Sequence, residues 1–189
     1  MVPGAPVSLR LSRFAAPLGA ALVLFSAAPA RADVSSWLFL GGGASGVFRP
    51  HTSGHGDAAL QIDAGLGSTP AAPVVVGGLF RLQTHFGDGT DVGIFLRTAT
   101  GGFVRGTWGG ALDLGAIERT WGPAPGYAGS LVLGGPWGLT LSLGAARDGN
   151  EVSTVTAVFG VDLARLTVHR TTGYQWMPNP FPSPRAPSQ

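Results

Sequence analysis

The sequence predicts an all-β fold: an antiparallel up-and-down β-barrel of about eight strands after a cleaved signal peptide. Two observations carry that expectation. Residues 137–147 read WGLTLSLGAAR, with Trp137, Leu139, Leu141, Leu143 and Ala145 on one side of a strand and Gly138, Thr140, Ser142, Gly144 and Ala146 on the other. Side chains alternate with period two along a β-strand, so this ribbon has one apolar face and one face of small or polar groups. The same contrast recurs in other segments, while no segment after the N-terminal region offers the uninterrupted apolar run of a membrane helix. A wall apolar on one side and polar on the other suits a barrel in lipid, because only helices and closed barrels satisfy every backbone group there.

The N-terminus reads as an export signal. Arg10 and Arg13 supply positive charge, Phe14 to Ala28 is a short apolar stretch, and Ala30-Arg31-Ala32 has the small-x-small form of a cleavage site. The expected organisation is a signal peptide over 1–32, a barrel domain over 33–170 and a proline-rich tail over 171–189. Five prolines fall within 178–189, which places that stretch outside any sheet. The chain has no cysteine, so neither a disulfide nor a cysteine-linked lipid can form. All of its 12 basic residues are arginines, and three of them leave with the signal, while all 10 acidic residues stay. The mature chain is then slightly acidic, and the high isoelectric point of the precursor does not argue for a nucleic-acid partner.

Eight strand-like segments lie between turn signals, approximately over 35–48, 58–67, 73–86, 91–105, 107–118, 126–134, 137–147 and 152–163. The second sets Leu60, Ile62, Ala64 and Leu66 against Gln61, Asp63, Gly65 and Gly67. The third sets Val74, Val76, Phe80 and Leu82 against Arg81, Gln83 and His85; the fourth sets Val92, Ile94 and Leu96 against Gly93 and Arg97, with Phe95 interrupting the polar face. The last sets Val155, Ala157, Phe159, Val161 and Leu163 against Thr154, Thr156, Gly160 and Asp162. Leu139, Leu141, Leu143 and Phe159 are therefore the expected lipid-facing residues. Gly87-Asp88-Gly89-Thr90 and Asp148-Gly149-Asn150-Glu151 have hairpin chemistry, and Gly134-Gly135-Pro136 marks another reversal. The longer connections, 49–57 and 119–125, fall at the same end of an up-and-down barrel and are the expected surface for a partner. Trp37, Phe39, Trp108, Trp121, Tyr127 and Trp137 sit near strand ends, which suits an interfacial girdle of amphipathic rings.

Over residues 35–163 this organisation resembles the small eight-stranded outer-membrane barrels of the OmpA and OmpX type. The resemblance is one of architecture: strand count, alternation, export signal and length. It implies an outer-membrane location, with outer-membrane lipid and the barrel-assembly machinery as partners. Such barrels usually end on an aromatic residue in the last strand, which that machinery reads. In this chain Leu163 is followed by ARLTVHRTTGYQW and MPNPFPSPRAPSQ, so either Trp176 ends a further strand or the signal is internal.

Chemistry-bearing motifs are few. Gly41, Gly43 and Gly46 match G-x-G-x-x-G, but Val47-Phe48-Arg49-Pro50 cannot open the helix a dinucleotide site requires. His51, His55 and Asp57 flank a glycine-bearing loop and are expected to be solvated, not to hold metal, and Asp88 and Asp91 read as turn residues. No Gly-x-Ser-x-Gly elbow occurs, so neither a catalytic site nor a cofactor is expected. Asp63, Arg81, Arg97 and Asp113 are the distinctive set. Each lies near mid-strand on the polar parity of four successive strands, and a narrow barrel must fill its lumen with side chains and pair any charge it buries. The expectation is a non-enzymatic barrel with a charged plug and a structural or surface-interaction role. The alternatives are a secreted or periplasmic soluble β-sandwich that binds a ligand or partner, or a lipid-modifying outer-membrane barrel enzyme.

Overall fold

The computed structural model describes residues 34–122 and 124–167. The expected signal peptide, the proline-rich tail and Trp176 lie outside the described residues. Eight strands run in sequence order: β1 (Ser35–Phe48), β2 (His55–Gly67), β3 (Val74–His85), β4 (Gly89–Thr100), β5 (Gly109–Arg119), β6 (Pro125–Gly134), β7 (Leu139–Asp148) and β8 (Ser153–Asp162). Each pairs antiparallel with its neighbours in the chain, and β1 closes on β8 from Phe39↔Asp162 to Phe48↔Ser153. The sheet therefore has no free edge, and every strand finds hydrogen-bond partners on both sides.

Side-chain parity follows the alternation in the sequence. On β7, Leu139 and Leu143 point out while Thr140 and Ser142 point in. On β8, Val155 and Phe159 point out while Thr154 and Val158 point in. The interior is layered along the barrel axis. At the near end, where β1 begins, Trp37, Val75, Ala99, Phe103, Val104, Ala111 and Val132 form an apolar cluster. Toward the far end, Leu79, Phe95 and Ile117 form a second.

The strand boundaries follow the alternation with two kinds of exception: β2 begins at His55 and not at 58, which shortens the expected 49–57 connection to 49–54, and elsewhere the chain makes single turns. The fourth segment stops at Thr100 and not at 105, because Gly101–Val104 forms a short helix, α1. Thr100 caps it, its Oγ1 accepting from Phe103 N at 3.3 Å and from Gly110 N at 3.2 Å. Phe103 and Val104 then fold into the near end of the barrel, fully buried. A second helix, α2 (Leu163–Thr167), follows β8 directly. Four- and five-residue helices are too short to write a 3.6-residue period into a sequence. Strand β7 begins at Leu139, two residues later than its apolar pattern, because Trp137 takes a left-handed backbone (φ 58°) in the Pro136–Gly138 turn.

The aromatic girdle needs correcting. Trp108, Tyr127 and Trp137 are largely exposed at the strand ends, at 79%, 67% and 68%. Trp37 and Phe39, by contrast, are each only 2% exposed and lie inside the barrel. Their parity explains this. Phe39 pairs with the inward Asp63 and Trp37 with the inward Gly65. Space for the indole comes from glycine, since a Cβ on Gly77 would approach Trp37 Cη2 to 2.8 Å. Trp121 is also drawn inward, over the far end. The G-x-G-x-x-G stretch lies wholly within β1, which rules out its dinucleotide reading.

The tight closure of β1 on β8 generates a prediction. A Cβ on inward-facing Gly160 would land on the Leu40 carbonyl oxygen and on Gly41 Cα, whereas one on outward-facing Gly42, in the adjacent pair, would meet nothing closer than Ala59 O at 3.9 Å. Gly160→Ala should therefore cost about 1–3 kcal/mol by overpacking. Gly42→Ala should be neutral or stabilising by about 0.5–1 kcal/mol through the unfolded chain. Urea unfolding of the two variants checks the contrast.

Candidate functional site

The centre of the barrel is a closed network of four charges. Asp63 and Arg81 face each other across the β2–β3 pair, and Arg97 and Asp113 across the β4–β5 pair. Each couple forms a two-pronged bond. Arg81 donates Nε to Asp63 Oδ1 at 2.7 Å and Nη2 to Oδ2 at 2.8 Å, while Arg97 donates Nε to Asp113 Oδ1 at 2.7 Å and Nη2 to Oδ2 at 2.8 Å. The couples are cross-linked: Arg81 Nη2 reaches Asp113 Oδ2 at 2.6 Å, and Arg97 Nη2 reaches Asp63 Oδ2 at 3.3 Å. Gln61 Nε2 donates to both Asp63 oxygens, and Ser130 Oγ accepts from Arg81 and donates to Asp113. All four charged residues are under 5% exposed, so they interact away from bulk solvent as two charges against two.

Aromatic rings complete the packing. Phe95, which interrupts the polar face of β4, lies under Arg81 with Cζ 4.6 Å from its centroid. Arg97 sits over Trp37 and Phe103 at 5.3 and 5.8 Å, and Arg165 also over Phe103 at 4.3 Å. Guanidinium planes favour such faces, which accept positive charge where water is excluded. The sequence reading identified the four charges but not the rings between them.

Two further polar layers close the ends. At the near end Arg165, from α2, donates to the carbonyls of Phe103 (2.6 Å), Gly135 (2.9 Å), Thr107 (3.2 Å) and Leu139 (3.3 Å), and to Thr140 Oγ1 (2.9 Å). Asp162 Oδ1 accepts from Arg165 N and Leu38 N, which ties α2 back to the start of β1. At the far end Arg119 donates to Asp148 Oδ2 and the Val152 carbonyl, each at 3.0 Å, and Trp121 Nε1 donates to Asp91 Oδ1 at 2.9 Å. His85 is 1% exposed, with Nε2 3.4 Å from Asp91 Oδ2. The alternation sets Asp162 on the polar face of β8, and parity would likewise have placed Arg119 and Asp148 inside, since each shares the face of an inward residue on its own strand. Arg165 carried no such signal, because it sits on a single helical turn.

A smaller cluster lies on the far rim. His55 Nε2 is 2.9 Å from Asp88 Oδ2 and 3.2 Å from Asp57 Oδ2, and Arg49 pairs with the other oxygen of Asp88. Burial opposes the charged form of Asp88, but the hydrogen bonds and charges of Arg49 and His55 outweigh it and hold the carboxyl below its ordinary value. The structure thus separates the two aspartates read as turn residues: Asp88 joins this rim cluster and Asp91 the lumen layer with His85. His51 is not part of the cluster.

Comparison with known proteins finds no matching family, no matching curated protein and no matching solved structure. What stands is the architecture, a closed antiparallel barrel of eight strands.

Removing a single member of the central network strands a buried charge. Asp63→Asn and Arg81→Gln should each cost about 3–5 kcal/mol, and the double variant clearly less than the sum of the two. A double-mutant cycle on urea unfolding checks this, and additive losses would mean that the pair is not coupled.

Proposed function

We propose that the chain is a non-enzymatic outer-membrane barrel, plugged along its axis, whose far-end loops serve a structural or surface-interaction role. One observation carries the reading: the distribution of charge between the two faces of the wall. Among the described strand residues, the outward positions carry only Glu118 and Arg147 as charged groups, both next to the last residue at the far ends of β5 and β7. The inward positions hold Asp63, Arg81, Asp91, Arg97, Asp113, Arg119, Asp148 and Asp162, all buried, and Asp57, part-buried at the far rim. Large apolar side chains, including Leu40, Leu66, Phe80, Leu96, Leu112, Leu114, Leu131, Leu143 and Phe159, are exposed around the whole circumference. Water-soluble domains do not leave a continuous apolar belt uncovered. In lipid that belt is the solvated surface.

The dimensions agree. The strands are 10–14 residues long. At about 3.3 Å per residue and a tilt of ~40°, ten residues rise ~25 Å, the height of a membrane barrel's apolar band. Trp108 and Trp137 project at the near rim and Phe86 and Tyr127 at the far rim, where a bilayer has its interfaces. A passive role fits the interior. Apolar side chains, ion pairs and Arg165 occupy the lumen in turn, and His85 and Asp91, the buried histidine–aspartate pair among the described residues, lie within it. The loop residues 49–54 and 120–122 lie at the far end, where Arg49 sits over the Trp121 ring and a partner would meet them.

Two outcomes follow. The protein should fractionate with outer membranes, and its unheated form should migrate differently from its boiled form in SDS gels. Leu131→Arg, at mid-wall between Leu112 and Leu143, should cost about 2–4 kcal/mol in lipid vesicles. In a water-soluble barrel the same replacement of an exposed leucine would leave stability unchanged, and recovery in the soluble fraction would overturn the reading.

A further inference from the structure

The geometry points to a binding site for a divalent transition-metal cation of the zinc class on the far rim, formed by His55, Asp57 and Asp88. The three donors come from two elements. His55 and Asp57 are alternate residues at the start of β2 and so share a face, while Asp88 belongs to the β3–β4 turn, which Phe86 N ties to β2 by donating to Ala58 O at 3.1 Å. Nε2 of His55 and one carboxylate oxygen each from Asp57 and Asp88 all lie within 4.8 Å of one another.

The hydrogen-bond inventory of this cluster is incomplete in a way a cation would resolve. An imidazole Nε2 carries at most one hydrogen, and the one facing this cluster is directed at Asp88 Oδ2, at 2.9 Å. Asp57 Oδ2 lies 3.2 Å from the same nitrogen, is shielded from solvent, and receives no hydrogen bond. Two carboxylate oxygens and one ring nitrogen thus crowd around a single proton. All three are potential ligand atoms, gathered within 4.8 Å of one another. Metal–ligand bonds of about 2.0–2.2 Å place neighbouring donors ~2.9–3.6 Å apart, and the two separations made by Nε2 fall in that range.

The surroundings match what a metal site needs from its supports. Arg49 holds the other oxygen of Asp88, turning Oδ2 toward the histidine, and Arg49 itself lies 5.5 Å from the Trp121 ring centroid. Glycine at 87 keeps the turn clear, since a Cβ there would come within 2.5 Å of Asp57 Oδ1. The local charge is two carboxylates against one guanidinium, which leaves a negative excess for a cation to neutralise. One imidazole with two carboxylates suits zinc-like ions, while calcium would require six or more oxygens. His55 is 40% exposed, so solvent can reach the site and complete the coordination. None of this depends on the membrane reading.

The test is calorimetric titration of ZnCl2 into the full chain, folded and freed of metal with EDTA, in a non-coordinating buffer. The expected result is one zinc per chain, with affinity reduced at least about tenfold in both His55→Ala and Asp57→Asn and unchanged in His51→Ala. Cobalt in place of zinc should give a visible absorption band lost in the same two variants, and magnesium should not compete. Asp57→Asn is isosteric, so it keeps the test decisive if His55→Ala fails to fold. Absence of saturable zinc binding, or wild-type affinity in Asp57→Asn, would overturn the proposal.

Discussion

The ion pairs of Asp63, Arg81, Arg97 and Asp113 are the constraint on which the rest of the barrel depends. A barrel of eight strands is too narrow to hold bulk water and too polar inside to collapse on hydrocarbon alone. Charged side chains brought into that space are costly unless they are paired and hydrogen-bonded. Two arginines offer planar forks and two aspartates accept them, so the register of β2 on β3 and of β4 on β5 is written into side-chain chemistry as well as backbone ladders. A shift of one residue in either pair would turn one charge of each couple to the outer wall. The network therefore specifies which strands face each other, and at what height.

The remaining interior is arranged around it. Phe95, Trp37 and Phe103 present ring faces to the guanidinium groups, so hydrophobic filling and charge burial share the same contacts. Arg165 extends the column to the near end and meets carbonyl oxygens instead of a carboxylate, adding a charged donor to backbone acceptors of the turns. Arg119 does the same for the Val152 carbonyl at the far end. With the charged groups concentrated inside, the large exposed side chains of the outer face are mostly leucine, valine, isoleucine and phenylalanine.

Much of this was legible in the sequence because alternation is a strong signal when its two faces differ in chemistry. Leu139, Leu141 and Leu143 against Thr140 and Ser142 admit one orientation, and Asp63, Arg81, Arg97 and Asp113 were readable as inward from parity and antiparallel order alone. What parity could not provide was the meaning of an aromatic residue near a strand end. Trp37 and Trp108 look alike in sequence, yet Trp37 is inward in β1 and takes the space left by Gly67 and Gly77, while Trp108 precedes β5 and projects outward. The two short helices were equally silent, as each spans little more than one turn. The rim cluster of His55, Asp57 and Asp88 needed the fold itself, because its third member is remote in sequence and arrives only through the pairing of β2 with β3.

The central claim is that the wall is inverted, apolar toward lipid and charged within. Because the native chain has no cysteine, single cysteines can be introduced along β6 and β7 and spin-labelled without background. The direct measurement is the collision of each label with molecular oxygen, which partitions into lipid, and with a water-soluble nickel complex, in reconstituted vesicles. Labels at 131, 133, 141 and 143 should collide strongly with oxygen and weakly with nickel, and labels at 130, 132, 140 and 142 weakly with both. Strong nickel collision at the first four positions would contradict the account.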